Sequence, residues 1–289
     1  MFKKSSWEHL RILFSYYLMP VFWFALSLAP ETPVIHVLII GIILHLFLYP
    51  SSNGYNSYFD KDEKSIGGLK NPKKVTIGLY YLSLLFFVLA LLFALFYGWV
   101  FFVFVLVYGL VSMAYSHPSV RLKKYPFISW LTAGFFQGAF TFCMCIVGFK
   151  GSDLSVLYEW NILLPALLTT LLLLGSYPLT QVYQHEEDQK RGDITLSLKL
   201  GVLGTFYFAS IWFLISGIAF VYYFIAKDTS WAIWWFLGCT FPLVVYFFFW
   251  FNLVQKEPKK YASHKMAMIM NKISASTLNF FFIVYYLAQ

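Results

Sequence analysis

The sequence predicts an all-α fold, a polytopic membrane bundle of nine transmembrane helices forming one domain over residues 1–289. Three observations predict it. Of the 289 residues, 60% are hydrophobic and only 12% charged, a composition that would leave a water-soluble protein with far too much exposed apolar surface. Apolar runs of about 20 residues, long enough to cross a bilayer as helices, recur from one end to the other. The basic residues between those runs fall almost entirely on alternate loops.

The first run covers 10–29. M-F-K-K ahead of it and A-L-S-L-A inside it are similar to a secretory signal with a cleavage site. Its length, Pro20 and the eight runs behind it assign it instead as the first helix. Run 33–52 returns the chain to the side of the N-terminus, where Lys61, Lys64, Lys70, Lys73 and Lys74 follow. Runs 76–97 and 99–116 form the next pair, ahead of Arg121, Lys123 and Lys124. Runs 126–149 and 160–183 precede Lys190, Arg191 and Lys199, and runs 203–226 and 231–254 precede Lys256, Lys259, Lys260 and Lys265. The ninth run is 266–287. With Lys3, Lys4 and Arg11, one side collects 18 of the 21 basic residues. Lys150 and Lys227 lie on the other side, and Lys272 lies within the ninth run.

That split puts the N-terminus and the basic loops in the cytoplasm and the C-terminus outside. A helix gained or lost midway would scramble it. The expected location is therefore an integral, multi-pass position in a bacterial inner membrane, and the net charge of +8 is a topology signal with no nucleic-acid partner implied. Cys143, Cys145 and Cys239 all fall inside runs, and C-M-C lacks metal-ligand spacing, so they read as small core residues.

The acids are distributed differently. Seven of the 13 sit in two loops of the basic side: Asp60, Asp62 and Glu63 after the second run, and Glu186, Glu187, Asp188 and Asp193 after the sixth. Asn53, Asn56 and Asp60 stand at i, i+3 and i+7, which on a helix is one face. Gln181, Gln184 and Asp188 repeat that spacing. A tyrosine, Tyr55 or Tyr183, precedes the second amide of each array, and basic residues follow both. Two such faces meeting across a cavity would offer carboxylate and amide oxygens from both sides. This suits Mg²⁺, which takes one or two protein carboxylates and completes its shell with water and substrate phosphate. A solvated helix end is the bland explanation of one array; two matched arrays on the same side make it the weaker one.

In these residues the chain resembles the UbiA superfamily of membrane prenyltransferases. That family carries N-x-x-x-D-x-x-x-D at the end of helix two and D-x-x-x-D at the end of helix six, within nine transmembrane helices. Asn56-S-Y-F-Asp60 matches the first half of the first motif. Asp188-Q-K-R-Gly192, continued by Thr195-Leu196 and K-L-Gly201, is similar to the second, and Tyr115-S-H-P-S-V-R-L-K-K-Y-P resembles the family's loop after helix four. The resemblance covers essentially the whole chain. Two positions depart from the pattern: Lys64 stands where the first motif ends in Asp, with Asp62 and Glu63 displaced toward the N-terminus, and Gln184 replaces the first Asp of the second motif.

The resemblance implies Mg²⁺-dependent transfer of a prenyl group from an isoprenoid diphosphate to an aromatic or lipid-like hydrophobic acceptor. It implies Asp60 and Asp188 as the central catalytic and metal-binding residues, with Asn56, Asp62, Gln184 and Glu186 as further metal ligands and Lys70, Arg121 and Lys123 on the diphosphate. Asn53, Tyr55, Tyr115, Gln181 and Tyr183 are expected around the pocket with Tyr108, and membrane lipid surrounds the chain. His117 and His185 are the histidines placed to take a proton, and Asp193 and Glu257 are expected to be bystanders. A homologue that binds prenyl lipids without turnover is the main alternative, because each array lacks a carboxylate. A transporter is the other, although its ionisable residues would sit near helix midpoints and its repeats would be inverted.

The topology is directly testable. Single cysteines at Lys64, Lys124, Gln189 and Lys259 in a cysteine-free background should resist an impermeant thiol reagent in intact cells. Labelling of any of them from outside would break the arrangement of loops, and the two-array site with it.

Overall fold

A computed structural model describes residues 3–151 and 154–289. Among them, nine helices are long and apolar enough to cross a membrane, and the chain is an integral multi-pass membrane protein. They are α1 (Lys4–Ser27), α2 (Val34–Asp60), α3 (Ile77–Tyr97), α4 (Trp99–Ser116), α5 (Pro126–Phe149), α6 (Trp160–Leu179), α7 (Leu196–Ala226), α8 (Ser230–Lys256) and α9 (His264–Leu287). Neighbours in sequence mostly pack as neighbours in space, and α9 returns to pack on α1 and close the bundle.

Three of these helices are irregular where they matter most. In α1 the coil stops after His9, and Arg11 takes left-handed angles (φ 46°, ψ 47°) before a tight turn over Ile12–Leu18. In α2 and α5 the coil widens over Ile43–Leu48 and Phe136–Phe140, the type of π-bulge that concentrates at functional sites. The α5 bulge works with Gly138, where a Cβ would fall 2.7 Å from the Thr170 backbone. This absence of a side chain lets α5 and α6 approach closely, as small residues do between membrane helices. Thr170 then takes the Ala139 N–H (3.0 Å).

Four predicted boundaries move: α1 starts at Lys4 instead of 10, α7 starts at Leu196 instead of 203, and the ends of α2 and α6 shift. Helix α2 runs on to Asp60, ended by Lys61 in the left-handed region with its N–H on Ser57 O (3.1 Å). Helix α6 ends early, at Leu179 instead of 183. The cause is Pro178, which has no N–H for the Leu174 carbonyl; the indole of Trp130 donates to that carbonyl instead (2.8 Å). Residues 180–184 form a turn, and a separate short helix spans His185–Arg191. The second amide–amide–acid array is therefore not one face of one helix. It is a turn followed by a helical stub.

The core is aromatic. Phe24 of α1 stacks on Phe282 of α9 (centroids 4.5 Å apart) and meets Phe142 of α5 edge-on (5.4 Å), all of them buried. Lipid tails are as apolar as these side chains, so close packing and ring geometry hold this core rather than escape from water. Phe220 and Phe282 belong both to this core and to the wall of a cavity. The aromatic cluster is that cavity's floor.

Candidate active site

The cavity measures about 330 Å³ and is lined by residues from every transmembrane helix except α3. The loops after α2, α4 and α6 form its polar end. Asn53, Asn56, Asp60, Asp62, Tyr108, Tyr115, Lys123, Gln181, Tyr183, Gln184 and Asp188 all line it, so the two arrays face one space although one of them is not a continuous helix.

Charge in this space is almost fully paired. Arg191 bonds Asp62, Asp188 Oδ1 (2.6 Å) and Asp193 Oδ2 (3.2 Å). Lys123 bonds Asp60 and lies 3.7 Å from Asp193. Behind them Arg121 grips Asp193 with both ends of its guanidinium fork (2.7 and 2.9 Å) and reaches toward Asp60 at 3.7 Å. Four carboxylates and three bases thus alternate, with Asp193, Lys123 and Asp188 the most buried charged side chains among the described residues. Thr195 adds a hydroxyl to Asp188 Oδ2 (3.3 Å), and Gly192 in the left-handed region turns the chain so that the Asp193 N–H meets the Asp188 carbonyl (2.9 Å).

Burial pushes the Asp188 carboxyl up to about 7, against the pull of Arg191 and Lys123. Burial, with help from neighbouring Asp60, also raises Asp62. At Asp193 burial works in the same direction, but the hydrogen bond from Arg121 and the charge of Lys123 outweigh it and hold the carboxyl below its ordinary range.

The missing motif acid is explained by the end of α2. Because the helix stops at Asp60, Lys64 lies outside, bonded to Glu186 (2.5 Å) with both side chains exposed. The left-handed turn at Lys61 instead brings Asp62, two positions earlier, to the cavity wall. Asn56 commits its amide nitrogen to Ser116 Oγ (2.8 Å), leaving its oxygen as the ligating atom. Gln181 donates to the Tyr177 hydroxyl (3.2 Å), which shares a hydrogen bond with Tyr115.

Other expectations need correction. Glu186 does not reach the cavity, because it is the first acid of an exposed stub and pairs outward with Lys64 and Lys190. Lys70 is exposed on the loop after α2 and does not line the cavity. Tyr55 points to the other side of α2, against Phe59 and Tyr80. Arg121 acts on the site only through Asp193 and Asp60. His185 bonds Ser197 (2.7 Å) and His117 packs on Phe59, and neither lines the cavity. Asp193 is no bystander. Sequence reasoning also passed over Arg191 as a cavity residue, Tyr177, Asn271 and Arg11; the last was the most detectable, an ionisable residue inside an apolar run.

The donor set fits Mg²⁺ in kind: Asp60, Asp62 and Asp188 with the amide oxygens of Asn56 and Gln184 are hard oxygen ligands. Among the described residues, no three acids, histidines or cysteines gather tightly enough to form a complete cage. The protein supplies part of a coordination shell, as Mg²⁺ sites shared with a phosphate do.

This geometry defines a membrane-embedded helical bundle with an oxygen-rich, ion-paired polar pole above an aromatic pocket. The chain belongs to the UbiA prenyltransferase family, whose profile matches residues 17–273. Its fold is shared with solved structures. A UbiA homologue from Archaeoglobus fulgidus bound to DMAPP and Mg²⁺ aligns with TM-score 0.68 and 18% identity, covering 99% of this chain and 98% of that one. The same homologue bound to GPP and Mg²⁺ aligns with TM-score 0.67, 18% identity and 99% coverage of both chains. A digeranylgeranylglyceryl phosphate synthase aligns with TM-score 0.64 and 21% identity over 99% of both chains. A search of curated proteins finds no match.

The network makes a stability prediction. Arg191→Met strands Asp62 and Asp188, and breaking such a buried pair costs about 3–5 kcal/mol. The stranded carboxyls would have folded-state pKa values raised above their unfolded ones, so they favour the fold when protonated and oppose it as pH rises through those values. Thermal unfolding of the detergent-solubilised variant should therefore show a larger deficit at about pH 8 than at about pH 5.5; an unchanged melting temperature at both would remove Arg191 from its central role.

Proposed function

We propose that the chain transfers a prenyl group from an isoprenoid diphosphate to a hydrophobic acceptor, aromatic or lipid-like, and releases diphosphate, with Mg²⁺ as cofactor and the polar pole of the cavity on the cytoplasmic side. The supporting observation is the meeting of the two arrays across one cavity whose floor is aromatic. The family and the ligands named for its solved homologues support the same reading.

Asp60, Asp62 and Asp188, with the oxygens of Asn56 and Gln184, would hold Mg²⁺. The ion when bound neutralises diphosphate charge and makes it a better leaving group. Lys123 and Arg191 carry N–H donors beside the same carboxylates and can turn them to phosphate oxygens, where charge-assisted bonds are strong. Asp193, gripped by Arg121, holds these cations in place from behind. Negative charge grows on the leaving oxygen as its bond to carbon lengthens, and fixed cations stabilise it without reorganising at that moment. The departing fragment is an allylic cation, and Tyr108, Tyr115 and Tyr177 on the cavity wall supply aromatic rings whose π faces would stabilise it. Phe220 and Phe282 close the far end against water.

A second reading has an observation in its favour. Every carboxylate of the site is bonded to a base, and two motif positions lack acids, which is what a homologue that binds prenyl lipids without turnover would show. Transport fits less well, since the charged groups cluster at one pole of the cavity. Diphosphate release from purified protein separates the enzyme from the binder. Asp60→Asn and Asp188→Asn should each lower release by about 10²–10³-fold while still folding, whereas Glu257→Gln, in an exposed pair with Lys260, should not. Gln184→Asp should tighten Mg²⁺ binding. Protons compete with metal for Asp188, so Mg²⁺ affinity should rise as pH passes upward through about 7. Equal metal dependence in all variants with activity intact would reduce both arrays to polar helix ends.

A further inference from the structure

At the membrane face opposite the polar pole, α2 and α3 separate. The later part of α2, from the bulge to Asp60, packs along α3, whereas Val34–Ile42 packs on α5 and hardly touches α3. Phe47 against Phe93 (centroids 5.3 Å apart) marks the point of separation. The joint to α5 is tight, since a Cβ on Gly148 would fall 2.8 Å from Ile40. The Tyr97 hydroxyl ties the end of α3 to α5 through Gly148 O (2.5 Å). Between these fixed points lies a cleft of about 1260 Å³, walled by Ile39, Ile42, Leu46, Phe93 and Phe96. It shares no wall residue with the cavity of the polar pole. An apolar wedge open to the bilayer takes an acyl chain in preference to water.

The rim of the cleft is charged, and with both signs. Glu31, His36 and Lys150 stand on it. Glu31 belongs to the tight P-E-T-P turn between α1 and α2, where Thr32 folds its N–H (3.1 Å) and hydroxyl (2.7 Å) back onto Ala29 O. Lys150 ends α5, and the His36 ring sits edge-on to Tyr97 (5.5 Å). Glu31 and Lys150 are exposed, and among the described residues neither forms an ion pair within the protein. This contrasts with the polar pole, where acids and bases alternate in contact. An acid and a base left free on one rim match a headgroup that carries both charges. An anionic headgroup would satisfy Lys150 but meet Glu31 as a like charge. A primary ammonium donates N–H bonds to a carboxylate, and a trimethylammonium has none to give.

We propose that this cleft is a site for one phospholipid with an ethanolamine phosphate headgroup. Its phosphate lies on Lys150 and His36, its ammonium on Glu31, and one acyl chain between α2 and α3. The lipid completes the packing of the two helices where their own contacts stop.

Lipid retention by the full-length protein, purified in detergent and read by native mass spectrometry, tests this. The probes are dioleoyl phosphatidylethanolamine, phosphatidylcholine and phosphatidylglycerol, which share their chains and differ in headgroup. The wild type should hold one ethanolamine lipid about 5- to 10-fold more tightly than either of the others. Glu31→Gln should erase that preference, and Lys150→Gln should weaken the ethanolamine lipid by a similar factor. Both positions are exposed, so neither change threatens the fold. Lys227→Gln, at a residue on the same membrane face bonded to Asn161, should leave the preference intact. Leu46→Trp, which fills the cleft beneath an unaltered rim, should weaken all three lipids. Equal retention of the three by the wild type, tighter retention of either other lipid, or a preference that survives Glu31→Gln would overturn the site. An unchanged affinity in Leu46→Trp would overturn it too. None of these residues lines the catalytic cavity, so the outcome is independent of the prenyl-transfer reading.

Discussion

Arg191 is the residue on which the polar pole of this bundle depends. One guanidinium joins Asp62 from the loop after α2, Asp188 from the stub after α6, and Asp193 from the turn beyond it. Like charges this close repel strongly in a medium of low polarity, and the loops could not meet without a cation between them. Lys123 does the same for Asp60 from the loop after α4. Burying such groups gains little net stability over an apolar core; their value is that they fix which loops come together.

The same pairing bears on function. Cations that neutralise the carboxylates in the ligand-free protein are the groups that a diphosphate would attract, and the carboxylates they release are those that a metal would attract. In the proposed reaction, exchange of partners would turn a structural network into a binding site. It would also account for a site that offers hard oxygen ligands yet, among the described residues, forms no closed cage by itself.

Much of this was legible in the sequence because membrane helices must satisfy their own backbone and be apolar for about 20 residues. That constraint is what set the nine spans. The paired arrays were visible as a repeated spacing. What spacing could not reveal was where each helix ends. Helix α6 stops because Pro178 leaves a carbonyl that Trp130, 44 residues away in α5, comes to satisfy, a contact without local signature. The early stop and the short stub turn Glu186 outward, and the stop of α2 at Lys61 substitutes Asp62 for the expected third acid. Asp193 reads as loop charge in the sequence because two of its three cationic partners, Arg121 and Lys123, lie some 70 positions upstream. Arg11 reads in the sequence as a topology charge, and the structure places it on the cavity wall.

The central claim is that carboxylates and bases exchange partners when metal and diphosphate arrive together. Calorimetric titration of Mg²⁺ into the purified protein, alone and with geranyl thiodiphosphate, tests it most directly. The account predicts weak binding of the metal alone, since Lys123 and Arg191 already hold its ligands, and much tighter binding with the thiodiphosphate present. Metal binding of equal strength in both titrations would contradict it.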